Sequence, residues 1–455
     1  MERAIGENDR ARQNRSFGEN EGHGEPAISE GAHVGVNVAL VGFGTVGRSV
    51  ARLLSGPGAH PLRLTHICNR NVARKRVDVD WVSPDVRWTE RFEDLLTPEV
   101  DIIVELIGGL EPAGAWIKQA LDAGKSVVTA NKQLMAHEGG ALLRLASQRG
   151  VHLGFEAAVA GGIPVIRAIR EGLAADRLVR ISGILNGTCN YMLTRMERAQ
   201  LAFDTVLAEA QAAGYAEADP TDDLEGYDAR AKLCILARIG LQVALKPADV
   251  PCRSIRPLSD VDFVYAKRLG FTIRQVSRVE RINGHDDHVD ASIEPALVRE
   301  GSALSRVQGS ENLVVTSGTF GGDVGFSGRG AGGDPTAVAV MSDVLATARH
   351  TSPPDWFRHA ADDRAVGVRH ERLTAYFLRF VVKDRPGIIA TLADRLSKRG
   401  LNIDAVLQEP GCSKEALPFV ITLEACRRTD VEAAMAEVAS LDFQVLPPLS
   451  LPILD

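Results

Sequence analysis

The stretch VNVALVGFGTVGRSVARLL, residues 36–54, decides the fold of the first part of the chain. Val36–Val41 is almost entirely apolar, which predicts a buried strand, and apolar residues then recur at helical spacing. Gly42, Gly44 and Gly47 form a GxGxxG pattern between this strand and the helical residues. Glycine there permits a tight turn, close approach to a pyrophosphate and packing of helix on strand, while the helix N-terminus attracts phosphate. The stretch predicts a dinucleotide-binding turn; a purely structural glycine turn is the alternative.

Three further strands are predicted, and they alternate with two helical stretches. The strands are Leu62–Cys68, Asp101–Leu106 and Ser126–Thr129, and the helical stretches lie near residues 112–123 and 139–149. This alternation is typical of a doubly wound parallel sheet. Ligands bind such sheets at the carboxyl ends of the strands, so we expect Asn131 and Lys132 at a cofactor crevice.

The end of the second predicted strand bears on the choice of cofactor. NAD-specific sites place an acidic residue there to bind the ribose hydroxyls. Here Arg70 follows the strand, and further cations come close behind it, namely Arg74, Lys75 and Arg76. The missing acid and the nearby cations favour a 2′-phosphate and hence NADP, with NAD possible. A solvated basic loop is the alternative.

Length and composition limit the remaining possibilities. A chain of 455 residues is too long for one core and predicts about three domains. The net charge of −7 argues against a nucleic-acid partner, and no apolar run is long enough for a membrane-spanning helix. Residues 1–35 are polar and predict a disordered tail. The six cysteines show no CxxC spacing, which favours a reduced, cytoplasmic setting.

The stretch EADPTDDLEGYDARAKL, residues 217–233, collects six carboxylates just ahead of Lys232. We expect one helix that begins with Thr221 as its N-cap and runs toward Ile239. Asp228 and Lys232 are four residues apart, so they share one face of that helix. An exposed helix with ordinary ion pairs is the alternative to a functional site.

Seven motifs, taken in order from Val36 onward, resemble those of the homoserine dehydrogenase family. They are GFGTVG, ELIGG, TANK, FEAAVAGGIP, ILNGTCNYML, GYAEADPTDDLEGYDARAK and GRGAGGDPTA. The resemblance implies an α/β protein with a Rossmann-type sheet and a mixed α+β substrate and dimerisation domain. It implies reversible NAD(P)H-dependent reduction of L-aspartate 4-semialdehyde to L-homoserine, a step of threonine, methionine and isoleucine biosynthesis.

The same resemblance assigns roles to individual residues. The catalytic residues are Lys232, Asp228 and Lys132. The substrate-binding residues are Glu217, Asp223, Asn186, Gly187 and Thr188. The cofactor-binding residues are Gly42, Phe43, Gly44, Thr45, Val46, Gly47, Arg70, Ile107, Gly108, Lys132 and Gly330. A monovalent cation, Na⁺ or K⁺, would bind the backbone carbonyls of Glu156, Val159, Gly161 and Ile163, unless that loop is purely structural.

The chemistry of the implied reaction fits the helical pair. Hydride transfer to an aldehyde carbon leaves an alkoxide, and a positioned ammonium such as that of Lys232 can protonate it. Asp228 would hold Lys232 in place and keep it charged. The substrate is a zwitterion, so Glu217 and Asp223 suit its ammonium group. Lys132 suits its carboxylate or carbonyl.

A short polar run, GHDDH at residues 284–288, has the side chains of a metal site, including His285 and His288. Asn283 and Gly284 form a turn dipeptide, however. A polar hairpin turn between two strands is therefore the favoured interpretation.

The C-terminal part, from residue 373, has the order β-α-β-β-α-β of a ferredoxin-like unit. Its DRPG turn (384–387) and Asn402 resemble ligand-side positions of the ACT family of amino-acid-sensing domains. In a homoserine dehydrogenase the implied effector is threonine. A domain used only for dimerisation is the alternative.

These patterns predict a tail, three domains and a linker. The ranges are 1–35 for the tail, 36–155 for the Rossmann domain (completed by about 320–348), 156–319 for the substrate domain, 349–372 for the linker and 373–455 for the ACT domain. We expect a homodimer or homotetramer. The rival functions are a non-catalytic amino-acid sensor and a dehydrogenase acting on another semialdehyde.

Overall fold

The computed structural model describes residues 35–56, 61–77, 79–282, 287–349 and 364–454. The predicted tail lies almost entirely outside the described residues, as do residues 283–286 of the predicted polar turn. Within the described residues the strands form two sheets. No helix of this part of the chain is long and apolar enough to cross a membrane.

The first sheet has six parallel strands in the order β3-β2-β1-β4-β5-β6. They are β1 (Val36–Val41), β2 (Leu62–Cys68), β3 (Arg87–Thr89), β4 (Ile102–Glu105), β5 (Ser126–Thr129) and β6 (Leu153–Gly154). Alternate residues of β1 enter two different apolar cores, one on each face of the sheet. Burial on both faces explains why the strand is a continuous apolar run. The order reverses between β1 and β4, which places the ligand crevice at their carboxyl ends.

Four helices connect these strands. They are α1 (Thr45–Ser55), α2 (Val72–Lys75), α3 (Ala113–Asp122) and α4 (Lys132–Arg149). The sequence predicted α4 only from residue 139. It begins seven residues earlier because the side chain of Asn131 caps it, accepting a hydrogen bond from the Leu134 N–H at 3.1 Å.

The second sheet has ten strands in the order β11-β10-β7-β8-β9-β16-β13-β15-β14, with β12 pairing with β9 beside that path. The first six in chain order are β7 (Leu178–Ile184), β8 (Phe271–Arg281), β9 (His288–Arg299), β10 (Glu311–Gly318), β11 (Gly322–Arg329) and β12 (Gly367–Val368). The last four are β13 (Leu373–Val382), β14 (Ile403–Gln408), β15 (Leu417–Arg427) and β16 (Gln444–Leu454). Antiparallel pairing of β8 with β9 fits a hairpin around the predicted polar turn. β12 lies within the predicted linker, of which residues 350–363 are outside the described residues.

Eight helices accompany the first half of this sheet. They are α5 (Val165–Arg167), α6 (Gly187–Ala199), α7 (Phe203–Ala212), α8 (Thr221–Leu224), α9 (Tyr227–Leu236), α10 (Asp260–Arg268), α11 (Ala303–Arg306) and α12 (Gly333–Arg349). α12 packs on α1 of the first sheet, where the Ser49 hydroxyl donates a 2.7 Å hydrogen bond to Asp334. The sequence predicted that residues 320–348 complete the Rossmann domain. Of these residues only α12 reaches the first sheet, because β11 pairs with β10 in the second.

The C-terminal strands β16-β13-β15-β14 form a ferredoxin-like layer covered by α13 (Ile388–Lys398) and α14 (Arg428–Ala439). This layer has its own apolar core, which includes Leu392 and Phe419. β16 also pairs in parallel with β9, through Ile453 and Leu454. The ferredoxin-like layer and the substrate region therefore share one continuous sheet.

Candidate active site

The crevice at the carboxyl ends of β1 and β4 contains the glycine-rich turn. Gly42 has φ +101°, and a side chain on Gly47 would come within 2.2 Å of the Gly42 carbonyl. Beside Gly44 nothing lies within 4 Å of the Cβ position, so the backbone there is open to a ligand. Thr45 is exposed at the start of α1, with Val46 half-buried behind it. Phe43, a predicted cofactor-binding residue, is fully buried, and its N–H already donates a hydrogen bond to Asn69.

The second wall of the crevice is the loop after β4, which carries Ile107 and Gly108. Glu105, at the end of β4, is buried and accepts hydrogen bonds from the N–H groups of both, at 2.7 and 3.0 Å. Its other oxygen accepts a 2.5 Å hydrogen bond from the Thr129 hydroxyl. Glu105 therefore fixes the loop to the neighbouring strand β5. Ile107 and Gly108, both predicted to bind the cofactor, are exposed at this wall.

Arg70 is exposed directly after β2, on the side of the crevice where a ribose would lie in a doubly wound sheet. The preceding residue, Asn69, accepts a 2.9 Å hydrogen bond from the Phe43 N–H. The end of β2, just before Arg70, is thus tied to the glycine-rich turn.

The predicted single helix over residues 221–239 is wrong. α8 ends at Leu224, and α9 begins at Tyr227 after Gly226, whose φ is +84°. A side chain at Gly226 would come within 2.8 Å of Ile293, so only glycine fits this left-handed position. Thr221 is the first residue of α8 rather than its cap. The break places Asp228 in the first turn of a new helix, where the helix dipole favours a carboxylate.

Asp228 lies at the centre of the candidate site between two lysines. Lys232 donates hydrogen bonds to Asp228 at 2.7 Å and to the Leu185 carbonyl at 2.8 Å. Lys132, from the start of α4, forms an ion pair with the other oxygen of Asp228. Asp228 and Lys232 are buried, whereas the Lys132 side chain is 41% exposed. The structure therefore brings the three predicted catalytic residues together from two helices, α4 and α9.

The charges of this cluster stabilise one another. Burial alone would raise the pKa of Asp228, but the charges and hydrogen bonds of Lys232 and Lys132 outweigh burial and hold that pKa well below its usual range. Burial also acts to lower the pKa of Lys132, yet the charge of Asp228 prevails and raises it. Asp228 is consequently a carboxylate, and Lys132 is an ammonium, at neutral pH.

Asn186 and Asp223 extend the cluster. The Asn186 amide donates to Asp223 at 2.6 Å and to Asp228 at 3.0 Å, while its oxygen caps α6 by accepting from the Cys189 N–H. Burial raises the pKa of Asp223, and the charge of Asp228 adds to that effect. The Asn186 amide therefore holds two carboxylates side by side.

The other predicted substrate residues surround this group less closely. Thr188, half-buried at the start of α6, donates a 2.7 Å hydrogen bond to the Tyr215 carbonyl. Gly187 has its Cβ position 2.8 Å from the Ser310 carbonyl, so it permits a close backbone approach. Glu217 is exposed in the loop after α7, and its side chain lies outside the hydrogen-bonded cluster.

The predicted cation loop turns sharply after Val159. Ala160 and Gly161 are consecutive left-handed residues, with φ of +54° and +51°. The carbonyls of Glu156 and Ile163 each accept a backbone hydrogen bond, from Val159 and Val165. A carbonyl oxygen has two lone pairs, so both keep one for a cation, and carbonyl ligands suit Na⁺ or K⁺. Side-chain clusters of three metal-ligating residues are absent from the described part of the chain.

A buried carboxyl pair, Glu156 and Asp343, supports this loop. Glu156 accepts hydrogen bonds from the N–H groups of Ile166 and Arg167, and its own N–H donates to Asp343 at 2.7 Å. Burial, together with the charge of Asp343, raises the pKa of Glu156 to about 7. Gly154 makes room for the pair, since its Cβ position is 2.8 Å from Asp343.

Gly330 lies buried between two loops. Its Cβ position is 2.1 Å from Asn312, and the Cβ position of Gly161 is 2.6 Å from the Gly330 carbonyl. The cation loop and the turn before α12 are therefore in backbone contact. This contact supports a packing role for Gly330, next to the predicted role in cofactor binding.

Sequence reasoning missed Glu105 and Asp343. An acid at the end of an apolar strand, as the first residue of ELIGG, was a signal for Glu105, because buried acids need partners. Asp343 belongs to a helix 187 residues from Glu156, and no local pattern predicts that contact.

The open doubly wound sheet, its glycine-rich turn and the lysine–aspartate cluster at the crevice define a nicotinamide-dependent oxidoreductase. The comparisons with known proteins agree. The family profile described as homoserine dehydrogenase, NAD binding domain, matches residues 42–156, and the profile described as homoserine dehydrogenase matches residues 164–345. The ACT domain profile matches residues 376–443.

Similar proteins extend these matches to nearly the whole chain. Homoserine dehydrogenase of Synechocystis sp. is 36% identical over 90% of this chain and 96% of its own, and that of Mycobacterium leprae is 40% identical over 82% and 86%. A crystal structure of a homoserine dehydrogenase from Thiobacillus denitrificans has a TM-score of 0.83 at 34% identity, covering 92% of this chain and 98% of its own. A hyperthermophilic archaeal homoserine dehydrogenase mutant in complex with NADPH has a TM-score of 0.59 at 27% identity, covering 69% and 97%.

The chain belongs to the homoserine dehydrogenase family and is an NAD(P)-dependent oxidoreductase with a C-terminal ACT domain. The predicted family, fold class and enzyme class are thereby confirmed.

Proposed function

We propose that the chain reduces L-aspartate 4-semialdehyde to L-homoserine reversibly, with Lys232 as the proton donor. The observation that carries the proposal is the buried ammonium of Lys232, held by Asp228 and the Leu185 carbonyl. An ammonium has three N–H donors, and these two contacts use two of them. The third can serve the oxygen of the substrate.

A bound nicotinamide cofactor supplies or accepts the hydride. As negative charge develops on the aldehyde oxygen, Lys232 stabilises it and donates a proton, and Asp228 keeps the lysine oriented. In the direction of homoserine oxidation the Lys232 amine accepts the proton of the substrate hydroxyl.

The cluster also offers groups for the two charges of the substrate. Asp223 lies in α8, and Glu217 lies in the loop before it. Both carboxylates suit the substrate ammonium. Lys132 is partly exposed at the crevice and suits the carboxylate or the carbonyl. Asn186 holds Asp223 next to Asp228, which supports a substrate-binding role for all three.

A substrate panel tests this proposal. Homoserine, other amino alcohols and simple alcohols would be oxidised with NADP⁺ and with NAD⁺, following the absorbance of the reduced nicotinamide. Turnover confined to homoserine is the expected result. Faster oxidation of another alcohol would favour the rival semialdehyde dehydrogenase, and no turnover with any substrate would favour the non-catalytic sensor.

The preference for NADP rests on Arg70. Its exposed guanidinium follows β2 where NAD-specific enzymes place an acid. Arg70→Ala should raise the KM for NADPH more than the KM for NADH. Equal increases would show that Arg70 does not bind the 2′-phosphate.

We further propose that the loop of Glu156, Val159, Gly161 and Ile163 binds Na⁺ or K⁺. Its sharp turn and carbonyl lone pairs support this role. Activity assayed in Na⁺, K⁺ and a bulky organic cation at constant ionic strength should fall in the last. Equal activity in all three would leave the loop with a structural role only.

Threonine is the proposed effector of the ACT domain. The DRPG turn, with Gly387 at φ +93°, borders a pocket that is also lined by Gln408 of β14 and Phe419 of β15. Backbone N–H groups of such a turn can bind the carboxylate of a small amino acid. Threonine titrated calorimetrically into the full-length protein should bind and should inhibit the reduction. Gln408→Leu should weaken binding and inhibition together.

The family membership also supports a cytoplasmic enzyme of threonine, methionine and isoleucine biosynthesis that forms a homodimer or homotetramer. Light scattering behind a sizing column tests the oligomeric state. A monomeric mass at micromolar concentration would contradict it.

A further inference from the structure

The segment Pro251–Arg256, which we name the strap, packs against the turn at Glu225 and Gly226 that precedes α9. The Ile255 N–H donates to the Leu224 carbonyl at 3.2 Å. The Ser254 hydroxyl lies 3.3 Å from the same carbonyl and 2.9 Å from the Glu225 carboxylate. The strap thus binds the end of α8 just before the break at Gly226.

On its other side the strap is bonded to β9. The Arg253 N–H donates to the Ile293 carbonyl at 2.8 Å, and the Ile293 N–H donates to the Pro251 carbonyl at 3.0 Å. The side chain of Ile293 lies against the α-carbon of Gly226. A displacement of β9 would therefore move the strap and the turn together.

Arg253 extends from the strap into the ACT domain. Its guanidinium donates to Glu432 of α14 at 2.5 Å and contacts the carbonyl and hydroxyl of Ser450 in β16 at 3.4 and 3.3 Å. Glu294 lies 3.9 Å from Arg253 and is itself paired with Arg428 at the start of α14. The C-terminal domain is therefore held to the strap and to β9 by the same group of charges.

We propose that Arg253 is a positioning residue through which the ACT domain sets the alignment of Asp228 and Lys232. The inference rests on the proposed catalytic role of that pair. α9 begins immediately after Gly226, and Asp228 lies in its first turn. A shift of α14 or β16 reaches this turn through the Arg253 side chain and through the backbone of the strap, which is hydrogen-bonded to Ile293 and Leu224. Packed elements of this kind move as units, so the shift is transmitted rather than absorbed.

Arginine suits this role better than lysine. The planar guanidinium carries five N–H donors in a fixed fork, so one side chain can bind Glu432 and Ser450 at once. A lysine ammonium could neutralise Glu432 but would not hold the two ACT elements in a fixed geometry. Arg253→Lys should therefore restore only part of the function lost in Arg253→Ala.

The test uses the full-length chain and two measurements. Arg253→Ala should lower kcat of the reduction by about threefold to tenfold, because small misplacements of reacting groups are costly, and leave the KM for NADPH unchanged. Amide hydrogen exchange should accelerate in peptides over residues 222–236. Glu432→Ala, a change within the ACT domain, should shift both measurements in the same direction, and the double variant should be no worse than Arg253→Ala.

Arg399→Ala is the matched control, since it breaks another arginine–glutamate pair of the ACT domain, with Glu437, away from the strap. It should change neither measurement. Wild-type kcat and wild-type amide exchange in both Arg253→Ala and Glu432→Ala would overturn the inference. An effect of Arg399→Ala as large as that of Arg253→Ala would overturn it too. If Lys232→Ala proves fully active, the proposed catalytic role fails, and exchange over residues 222–236 still decides whether Arg253 couples the two regions.

Discussion

Two buried aspartates, Asp228 in the active site and Asp262 at the start of α10, differ in their charge balance. Asp228 is 5% exposed and Asp262 is fully buried. Asp262 has one cation, Arg379 of β13, at 3.0 Å, and also accepts hydrogen bonds from Ser259. Burial raises its pKa, which Arg379 offsets only in part. Asp228 has two lysines, and they lower its pKa despite burial.

The comparison indicates that burial alone does not decide the direction of a carboxyl pKa shift; the cations around the group decide whether burial is outweighed. Asp262 joins the substrate region to the ACT domain through Arg379, and this role requires only that its buried oxygens have hydrogen-bond partners. In the proposed mechanism Asp228 orients an ammonium during proton transfer, which requires an ionised carboxylate. Each of the following predictions changes one cation or one carboxyl group of the two clusters.

The largest effect is expected when Asp228 loses the lysine with the proposed chemical role. Lys232→Ala should lower kcat by about 10²–10⁴-fold, the usual contribution of general acid catalysis, with NADPH affinity nearly unchanged. Steady-state kinetics and NADPH fluorescence titration measure the two. Lys246→Ala, at an exposed lysine of the same region, serves as the control. Near-normal turnover of Lys232→Ala would remove the proton-donor role.

Removing the single cation of Asp262 should affect stability rather than chemistry. Arg379→Leu leaves a buried carboxyl group without its partner and should lower the free energy of unfolding by about 3–5 kcal/mol. Urea unfolding followed by circular dichroism measures it. The fraction that remains folded should keep its kcat within about threefold, since a change of this size corresponds to under 1 kcal/mol. An unchanged unfolding midpoint would mean that Arg379 contributes little at this joint.

Removing one of the two lysines would leave Asp228 with a single cationic partner, as Asp262 has. Lys132→Met should lower kcat/KM by about tenfold, because a hydrogen bond to a charged group is typically worth more than 1 kcal/mol. Asp228 keeps Lys232, so some activity should remain. Kinetics with homoserine at several pH values would check this. A loss as large as that of Lys232→Ala would give the two lysines equal roles.

The smallest effect concerns stability against pH. Asp228 has a lowered pKa in the folded state, so its stabilisation is present above the unfolded pKa of about 3.9 and is lost as pH falls. Asp262 has a raised pKa, so its contribution changes in the opposite direction. The cost of Asp228→Asn in free energy of unfolding should therefore shrink by about 1 kcal/mol or more between neutral and acidic pH. Asp262→Asn should not show that decrease; parallel curves for both variants would contradict the comparison.

Local patterns predicted much of the fold. The bounds of β1, β2 and β5 agree with the strands predicted from the sequence, and β1 is apolar nearly throughout because it is buried on both faces of the sheet. The order of strands and helices in the ACT domain followed from the same periodicity. The break at Gly226 was missed, since α8 and α9 share one periodic pattern and only the contact with Ile293 demands glycine there.

Part of the site was also predictable. Spacing placed Asp228 and Lys232 on one helical face, and TANK placed Lys132 at the carboxyl end of β5. Their convergence on one carboxylate required helices α4 and α9 to pack together. Glu105 and Asp343 were not found, because their partners are distant in sequence or belong to the backbone.

The sequence by itself determined the dinucleotide-binding turn, the family and the residue types available for proton transfer, because these depend on local spacing. Tertiary structure alone decided which of six nearby carboxylates in 217–233 is buried between two lysines. It also decided that β16 pairs with β9, so that the ACT domain and the substrate region share a sheet. Charge balance and strand pairing depend on neighbours far apart in the chain, and no local pattern encodes them.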